Sequence, residues 1–337
     1  MSNKPTFFIS KVLSDRLASG PFYCLGRAGM DLYPEPVGVA TEEAEYFSAD
    51  MGGSAANIAV ALARLGGHVA LLTVFSNDQV GRFVMAKCEQ NNVNIDYCRT
   101  LDGLYRNSLA IAETKPQHAS VVIYRNNAAD LQISEEDVEK IDFGKAGGLV
   151  VTGTALSDEP SASAVSCAIM AAKETGCPIV IDIDYRPNAW LDSTSAAMRI
   201  APELEKADII IGNDDEFSIL CDSNRDKGLV AAQNFAQSGK LVFYKKGELG
   251  CISLYNNHAI ETGVFPVQSV KPFGAGDAFL GNVLMKLSQD GNVRGAVIQG
   301  SAAAAFVVAR QGCASAMPDK QQLEQFMSLH NMSELKK

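Results

Sequence analysis

The sequence predicts an α/β fold: a doubly wound, mainly parallel sheet sandwiched by helices, with a small β lid. Three observations predict it. Short, almost continuously apolar runs suit strands that are buried on both faces. These runs alternate with helical patterns, as expected for a series of strand–helix units. Two segments interrupt the alternation and carry strand-like runs of their own, which indicates a second, smaller sheet.

The predicted elements follow one another along most of the chain. The strands are Phe22–Leu25, Val69–Val74, Leu149–Thr152, Ile179–Ile183, Ile209–Ile211 and Leu241–Tyr244. The helices that show the clearest patterns between them are Ala55–Leu65, Ser161–Thr175 and Leu229–Ser238. In such folds, ligands bind at the carboxyl ends of the strands. Side chains that directly follow these strands are therefore candidates for a functional site.

The two interrupting segments are residues 33–50 and 105–125. The second contains the runs Ser108–Ala112 and Ser120–Tyr124, which have strand-like composition. We expect these segments to pair into a small sheet that projects from the main domain. A lid over the active site is the functional interpretation, and an edge decoration without a role is the alternative.

The domain organisation is predicted to be simple. Residues 1–20 look like a loosely held N-terminal extension. Residues 21–330 form a single domain with its lid, because no Pro/Gly-rich linker divides them.

Composition and charge exclude several classes of protein. Hydrophobic residues make up 47% and charged residues 20% of the 337 residues, which predicts a packed core rather than disorder. The net charge of −10 disfavours nucleic acid as a partner, since its phosphates require a basic surface. No stretch approaches the ~20 apolar residues of a membrane span. The eight cysteines are scattered without a Cys-x-x-Cys pair, so we expect buried thiols in a cytoplasmic protein and no zinc site.

The strongest local motif is Phe273-Gly274-Ala275-Gly276-Asp277-Ala278-Phe279. Apolar residues then recur on one helical face, so a helix begins at or just before Asp277. The glycines permit a tight turn whose N–H groups point outward beside the positive end of the helix dipole. Such a turn suits the charge on a transferring phosphoryl group, and Asp277 would accept the proton of an attacking hydroxyl. The alternative is that Asp277 only caps the helix.

A second motif is Gly52-Gly53-Ser54-Ala55-Ala56-Asn57, followed by a helix of small residues. The glycines would let a ligand lie against the backbone, and Asn57 offers both a donor and an acceptor. Close packing of small residues is the alternative. The spacing does not match a dinucleotide fingerprint, and the chain contains no P-loop motif.

Together the two motifs resemble the two signatures of the ribokinase-like (PfkB) family of carbohydrate kinases. The resemblance covers about residues 21–320, and the motifs occur in the family's order. It implies that Asp277 is the catalytic base and that the backbone of Gly274, Ala275 and Gly276 forms an anion hole. It also implies ATP as phosphoryl donor and Mg²⁺ as cofactor.

The resemblance further implies the ligand-binding residues. On the sugar side they are Asp31 after the first strand and the element Gly52, Gly53 and Asn57. On the nucleotide side, Asn213 and Glu216 match an Asn-x-x-Glu element, in which Glu216 would organise Mg²⁺ through water. The nucleotide turn matches Lys245 to Gly250, including Gly247. Lys245 stands where a small hydroxyl residue is frequent, which would bring positive charge near the phosphates.

The chain departs from the family at Lys271. Many members have an acidic residue six positions before the catalytic Asp, where it contributes to a monovalent-cation site. An ammonium group cannot replace a carboxylate as the partner of a cation. Our hypothesis is that the Lys271 ammonium substitutes for the cation, so that activity does not require K⁺. The alternative is a Lys271 that points to solvent.

Three arginines indicate an acidic substrate, because paired N–H donors suit planar carboxylates. They are Arg27 after the first strand, Arg125 in the lid segment and Arg186 in Asp182-Ile183-Asp184-Tyr185-Arg186-Pro187. Asp184 of the same run is a further candidate for substrate binding. Within the family, these runs look most similar to the kinases of 2-deoxy-5-keto-gluconate in myo-inositol catabolism. That similarity implies phosphorylation of the C6 hydroxyl of this sugar acid.

Several alternatives stay open. The same chemistry could act on 2-keto-3-deoxygluconate, fructose or a nucleoside. A protein of another class would be a non-catalytic, sugar-binding regulatory protein on a kinase scaffold, although it would not need Asp277. We expect a small-molecule sugar acid and ATP as ligands. The lid strands could also pair with the lid of a second copy to form a homodimer, since exposed strand edges favour such pairing.

Overall fold

The computed structural model describes residues 6–114 and 120–333, which contain fourteen β-strands and eleven α-helices. The strands are β1 (Phe22–Leu25), β2 (Gly29–Glu35), β3 (Tyr46–Gly52), β4 (Val69–Leu72), β5 (Val74–Ser76), β6 (Arg99–Leu101), β7 (Leu109–Glu113), β8 (Ser120–Tyr124), β9 (Gly148–Thr152), β10 (Ile179–Asp182), β11 (Ile209–Asn213), β12 (Leu241–Lys245), β13 (Cys251–Tyr255) and β14 (His258–Thr262). The helices are α1 (Lys11–Leu17), α2 (Ser54–Arg64), α3 (Gln79–Gln90), α4 (Glu135–Val138), α5 (Ser161–Glu174), α6 (Ser193–Leu204), α7 (Asp214–Ser218), α8 (Arg225–Gln237), α9 (Ala275–Asp290), α10 (Val293–Val308) and α11 (Lys320–Leu329).

The main sheet has eight strands in the order β14-β13-β12-β11-β10-β9-β1-β4. The six strands from β4 to β12 in that order are parallel, and β13 and β14 add an antiparallel hairpin at one edge. Helices cover both faces, so the predicted doubly wound α/β class is confirmed. The hairpin was not predicted.

Alternate side chains of each central strand enter two separate cores. In β1, Phe22 and Cys24 pack into the core that contains α2, α9 and α10. Tyr23 and Leu25 pack into the opposite core, against α5 and α6. Because successive side chains point to opposite faces of a sheet, a strand covered on both faces has no polar positions. This explains the continuous apolar runs of the sequence.

One predicted strand is divided in the structure. The run Val69–Val74 forms β4 in the main sheet and then β5, which leaves that sheet and pairs with β6. The prediction of a single strand was wrong because apolar composition identifies a buried strand but not its partner.

The two interrupting segments do form a separate sheet, with the strand order β3-β2-β7-β8. Its strands begin at Gly29 and end at Tyr124, with bounds slightly different from the predicted segments 33–50 and 105–125. Residues 115–119 of the second segment lie outside the described residues. We refer to this four-stranded sheet as the lid sheet.

The described part of the N-terminal segment is not loosely held, which corrects the expectation for residues 6–20; residues 1–5 lie outside the described residues. Helix α1 packs on α9, and its Leu17 side chain is buried. The Ser14 hydroxyl donates a hydrogen bond to the Leu287 carbonyl, and the Ile9 N–H donates one to Gly291. In the described part of the chain, no helix has the length and apolarity that a membrane span requires.

Candidate active site

Polar residues converge where the parallel strands end. Asp182, Asn213 and Lys245 are the last residues of the neighbouring strands β10, β11 and β12. The first turn of α9 lies at the same end of the sheet, since the position of a Cβ on Gly276 would be 3.1 Å from Lys245 Nζ. Carboxyl ends of parallel strands are the usual place for ligands.

Helix α9 begins with an open turn of a kind that suits anions, and we refer to it as the anion-binding turn. Gly274 is the N-cap residue, with a φ of +79°, and no side chain caps the helix. The first N–H groups of a helix have no acceptor within it, so those of this turn are available to a ligand. Asp277 lies inside the first turn and is not the cap, so the capping alternative is wrong. Its Oδ2 accepts a hydrogen bond of 2.8 Å from Asn57 Nδ2.

The environment of Asp277 suits a general base. Burial, together with the neighbouring Asp184 carboxylate, raises the pKa of Asp277 to about 6. The hydrogen bond from Asn57 and the charges of Arg186 and Lys245 act in the opposite direction. A base of this pKa is ionised near neutral pH and still basic enough to accept a proton in the transition state.

Arg27 and Asp31 form a buried polar pair, in which Asp31 belongs to β2 of the lid sheet. Arg27 Nη2 lies 3.5 Å from Asp31 Oδ1, and Arg27 Nε donates a hydrogen bond of 2.7 Å to Ser108 Oγ. Arg27 Nη2, Asp31 Oδ1 and Asn57 Oδ1 are buried and have no hydrogen-bond partner among the described residues. Arg27 Nη2 and Asp31 Oδ1 have only their mutual ion pair, and Asn57 Oδ1 has no hydrogen bond within the described residues. Buried polar groups without hydrogen bonds are costly, so a polar ligand is favoured as a further partner.

Gly52 and Gly53 pack closely against Asp31 and Arg27. A Cβ on Gly52 would lie 2.0 Å from Asp31 Oδ2, and one on Gly53 would lie 2.4 Å from the Arg27 carbonyl oxygen. Gly53 also has a φ of +102°, which disfavours other residues. The space beside these two glycines is therefore filled by Asp31 and the backbone of Arg27. A larger residue at either position would displace Asp31 or Arg27, so the glycines keep this pair in place.

The other two arginines differ from each other. Arg186 is half-exposed, and its Nη2 lies 2.9 Å from Asp184 Oδ1. Asp184 is buried and also accepts a hydrogen bond from Thr154 Oγ1, with a φ of +38° that is strained for a non-glycine residue. Arg125 donates hydrogen bonds to the Asp130 carboxylate, the Thr154 carbonyl oxygen and Ser157 Oγ. Its donors are engaged within the protein, so the structure does not support the expected role of Arg125 in carboxylate binding.

The nucleotide-side candidates form two turns. Asn213 and Glu216 cap α7 reciprocally: Glu216 Oε2 accepts from the Asn213 N–H, and Asn213 Oδ1 accepts from the Glu216 N–H. Lys245 begins the second turn, which continues through Gly247, with a φ of +55°, to Gly250. A Cβ on Gly250 would lie 1.9 Å from the Thr262 carbonyl oxygen, so this glycine is required for packing of the β14 edge.

The site fits Mg²⁺ only as an ion that arrives with phosphates. Among the described residues there is no group of three or more His, Cys, Asp or Glu side chains placed to hold a metal. Mg²⁺ commonly keeps several waters and binds one or two carboxylates together with substrate phosphates. Glu216 suits such a contact through water, because only its Oε2 takes part in the capping pair.

Lys271 is 1% exposed, so the alternative in which it points to solvent is wrong. Its Nζ donates a hydrogen bond to the Phe273 carbonyl and lies 3.8 Å from Cys313 Sγ. Its charge acts on Asp31, whose pKa is raised by burial and lowered by Arg27 and Lys271. A buried positive charge therefore stands directly before the anion-binding turn.

Asp182 belongs to this site and was not among the predicted site residues. Burial raises its pKa to about 8, while the Lys245 charge opposes that shift. Its Oδ1 accepts a hydrogen bond of 3.3 Å from the Asp184 N–H. A signal was present, since Asp182 is a polar residue one position before the end of the predicted strand Ile179–Ile183.

Comparison with known proteins agrees with this geometry. Residues 22–320 match the model of the pfkB family of carbohydrate kinases. The chain belongs to this family.

The relatives of this pfkB kinase include proteins named 5-dehydro-2-deoxygluconokinase. The one from Photobacterium profundum is 37% identical over 90% of this chain and 93% of its own length. The one from Geobacillus kaustophilus is 33% identical over 92% and 94%. A solved structure of a fructokinase double mutant from Vibrio cholerae, with fructose, ADP and a potassium ion bound, is 25% identical with a TM-score of 0.80, covering 92% of this chain and 99% of that one.

Proposed function

We propose that this pfkB kinase transfers the γ-phosphoryl group of ATP to the C6 hydroxyl of 5-dehydro-2-deoxygluconate, a sugar acid. The names of the relatives support the substrate. The observation that carries the chemistry is the buried Asp277 carboxylate, held by Asn57 beside the uncapped first turn of α9. A base and an anion hole at one point are what phosphoryl transfer to a hydroxyl requires.

In the proposed reaction, the sugar hydroxyl gives its proton to Asp277 as its oxygen attacks the γ-phosphorus. The bond from that phosphorus to the β-phosphate oxygen breaks, and ADP leaves. The backbone N–H groups of Gly274, Ala275 and Gly276 stabilise the negative charge on the transferring group. Mg²⁺, when bound with ATP, neutralises part of the phosphate charge, and Glu216 would hold it through water.

The carboxylate of the substrate is assigned to Arg27 and Arg186 in this proposal. Arg27 Nη2 is buried without a hydrogen-bond partner among the described residues, and Arg186 is half-exposed beside Asp184. Asp31 and Asn57 each have an unpartnered oxygen that would accept hydrogen bonds from sugar hydroxyl groups. Arg125 is left out because its donors are already engaged.

The test is a coupled ADP-release assay with ATP and Mg²⁺ on a panel of acceptors. The panel contains 5-dehydro-2-deoxygluconate, 2-keto-3-deoxygluconate, fructose, ribose and adenosine. We expect turnover on 5-dehydro-2-deoxygluconate to exceed turnover on each neutral acceptor. Preference for a neutral sugar would discard the assignment of the arginines to a carboxylate. If no acceptor supported turnover although the protein still bound ATP, a non-catalytic sugar-binding protein would be favoured.

The Asp277→Asn variant separates the base from binding. We expect turnover to fall at least ~10²-fold, the lower range for general-base catalysis, while ATP affinity and the thermal midpoint stay near those of the wild type. Near-normal turnover in this variant would remove Asp277 from the role of base.

We also propose that the enzyme forms a homodimer through the lid sheet. The register places Leu32, Ile111 and Val122 in one row on the face opposite Asp31. On this face Phe47, Val122 and Tyr124 are 39%, 52% and 56% exposed. An exposed apolar face on a small sheet favours a partner, and a second copy would bring an equivalent face.

The proposed compartment is the cytoplasm, where ATP is available. All eight cysteines are free, which is typical of proteins in a reducing compartment.

A further inference from the structure

The Lys245 ammonium group is held next to the anion-binding turn with its donors unused. Its Nζ lies 3.1 Å from the position of a Cβ on Gly276. The side chain is only 18% exposed, and its nearest carboxylate oxygen is Glu216 Oε2 at 3.9 Å. Within residues 6–114 and 120–333, Lys245 Nζ donates no hydrogen bond. A lysine in this state has three N–H donors for a ligand.

The charges of the site favour a cation beside the bound phosphates. The carboxyl groups that act on Lys245 are Asp182, Glu216 and Asp277, and Asp184 lies near Asp277. Those that are ionised repel the phosphates of ATP. Arg186 is the other nearby cation, and it is already paired with Asp184 at 2.9 Å. Of these two cations, Lys245 is the one beside the anion-binding turn, and its Nζ donates no hydrogen bond within the described residues.

The Lys245 side chain stays charged in this position. Burial lowers the pKa of Lys245, but the neighbouring acidic groups of Asp182, Glu216 and Asp277 together outweigh burial and raise it. The ammonium group nevertheless stands at the positive end of the α9 dipole, where cations are disfavoured and anions are stabilised. An anion bound between the helix turn and Lys245 would be attracted by both.

We propose that Lys245 is a catalytic residue whose ammonium group binds a non-bridging oxygen of the phosphoryl group during its transfer. The inference deepens the proposed kinase function and rests on it. The ammonium group donates hydrogen bonds and keeps its protons. The P–O bond to ADP breaks, the new P–O bond to the sugar forms, and the hydroxyl proton goes to Asp277. Lys245 and the backbone N–H groups of α9 then bind the transferring group from two sides.

A purely structural role of Lys245 would lead to different results from a catalytic role. If Lys245 only neutralised Asp182 and Glu216, its removal would lower stability and would not discriminate between nucleotides. If it contacts the γ-phosphoryl oxygens, its removal must weaken a triphosphate more than a diphosphate. Removal must also reduce turnover beyond any effect on binding, because charge on the transferring group is best stabilised by preorganised donors.

The experiment compares Lys245→Met with Lys245→Arg and Lys173→Met. Lys173 is an exposed lysine on α5 and controls for the loss of one positive charge. For Lys245→Met we expect kcat to fall at least ~10²-fold, in the range for loss of one transition-state donor. We expect the affinity for a non-hydrolysable ATP analogue to fall about 10-fold while that for ADP stays unchanged, as for one charged hydrogen bond. Lys245→Arg keeps the charge and should recover part of both losses, and Lys173→Met should match the wild type.

Two results would overturn the proposal. One is a folded Lys245→Met enzyme with the kcat of the wild type. The other is an equal change, or none, in the affinities for the ATP analogue and for ADP. The nucleotide affinities are measured without sugar, so they test the role of Lys245 even if the wild type turns over none of the acceptors. Absence of turnover on every acceptor would contradict the proposed function. The affinities for the ATP analogue and ADP test the proposed role of Lys245 separately.

Discussion

Asp277 shows how much the chemistry of one side chain depends on its immediate neighbours. An exposed aspartate would be a weak base, with an ordinary pKa near ~4. Here burial and Asp184 raise the pKa of Asp277 to about 6, and the hydrogen bond from Asn57 limits the increase. The same hydrogen bond orients the carboxylate. Asn57 therefore sets both the direction and the basicity of the proposed base.

The first prediction concerns the pH dependence of kcat/KM. A base works only when ionised, so activity should fall as the pH drops through about 6, the pKa of Asp277 in the free enzyme. In Asn57→Leu the hydrogen bond that lowers this pKa is lost, and the acidic limb should move upward by about one pH unit. The measurement is kcat/KM from ADP release at pH values between about 5 and 8, which covers the acidic limb.

The control for that shift is Asn282→Leu. Asn282 is buried in the same helix as Asp277, but its Nδ2 bonds to the Ala278 carbonyl and not to Asp277. Its acidic limb should stay near that of the wild type. A limb that does not move in Asn57→Leu would show that Asn57 does not tune the base.

The second prediction concerns monovalent cations. Because the buried Lys271 ammonium already supplies a positive charge beside Phe273, we propose that it substitutes for a bound cation. Activity should be unchanged when K⁺ is replaced by tetramethylammonium at constant ionic strength. A many-fold increase of turnover with K⁺ would contradict this hypothesis.

Short elements in this protein acquire their roles from what packs on them. Helix α1 has only two turns and would be unstable alone. It is retained because Leu17 enters the core beside α9 and Ser14 bonds to Leu287. Gly52 and Gly53, which precede α2, likewise depend on their neighbours. Asp31 and the Arg27 backbone occupy the space that a Cβ at these positions would need. The partner of α1 is α9, far away in the sequence, and the partners of the glycines are Asp31 on β2 and the Arg27 backbone before it.

The third prediction tests the docking of α1. Leu17 is 1% exposed, whereas Val12 of the same helix is 75% exposed. Leu17→Ala should lower the free energy of unfolding by about 2–5 kcal/mol, the cost of truncating a buried leucine. Val12→Ala should change it by less than ~0.5 kcal/mol. The measurement is denaturant unfolding, and equal effects of the two variants would mean that α1 does not dock as described.

The molecule as a whole combines a rigid support with an attached sheet. The eight-stranded sheet is covered on both faces, and its two cores receive alternate side chains of the same strands. One face of the lid sheet carries the buried Asp31 side chain, and the other carries exposed apolar side chains such as Val122 and Tyr124. We propose that the first face encloses the substrate, which would exclude water from the reaction.

The fourth prediction tests the outer face of the lid sheet. We expect the wild type to sediment with twice the mass of one chain at micromolar concentration. Val122→Glu places a charge in the proposed interface and should yield monomers. Met170→Glu introduces the same charge at an exposed apolar residue of α5 and should remain dimeric. A monomeric wild type would rule out this interface at that concentration.

Much of this protein could be predicted from the sequence alone. Apolar runs and helical periodicity identified the α/β class, and two short motifs indicated the kinase family and Asp277 as candidate base. These features are local: a strand buried on both faces has no polar positions, and a helix repeats every 3.6 residues. The carboxyl ends of the strands could also be located, because they follow from the strand positions.

Only the tertiary structure decided which side chains share the site. Arg27 and Arg125 were both candidates from the sequence. In the structure Arg27 Nη2 is buried and has an ion pair with Asp31 but no hydrogen bond, whereas Arg125 donates hydrogen bonds to Asp130 and Thr154. Lys271 could have faced solvent, and packing buries it. Each outcome depends on contacts between residues that are distant in the chain, and local patterns contain no information about them. The sequence by itself therefore determined the fold class and the candidate base, and the packing of distant segments determined the surroundings in which that base would act.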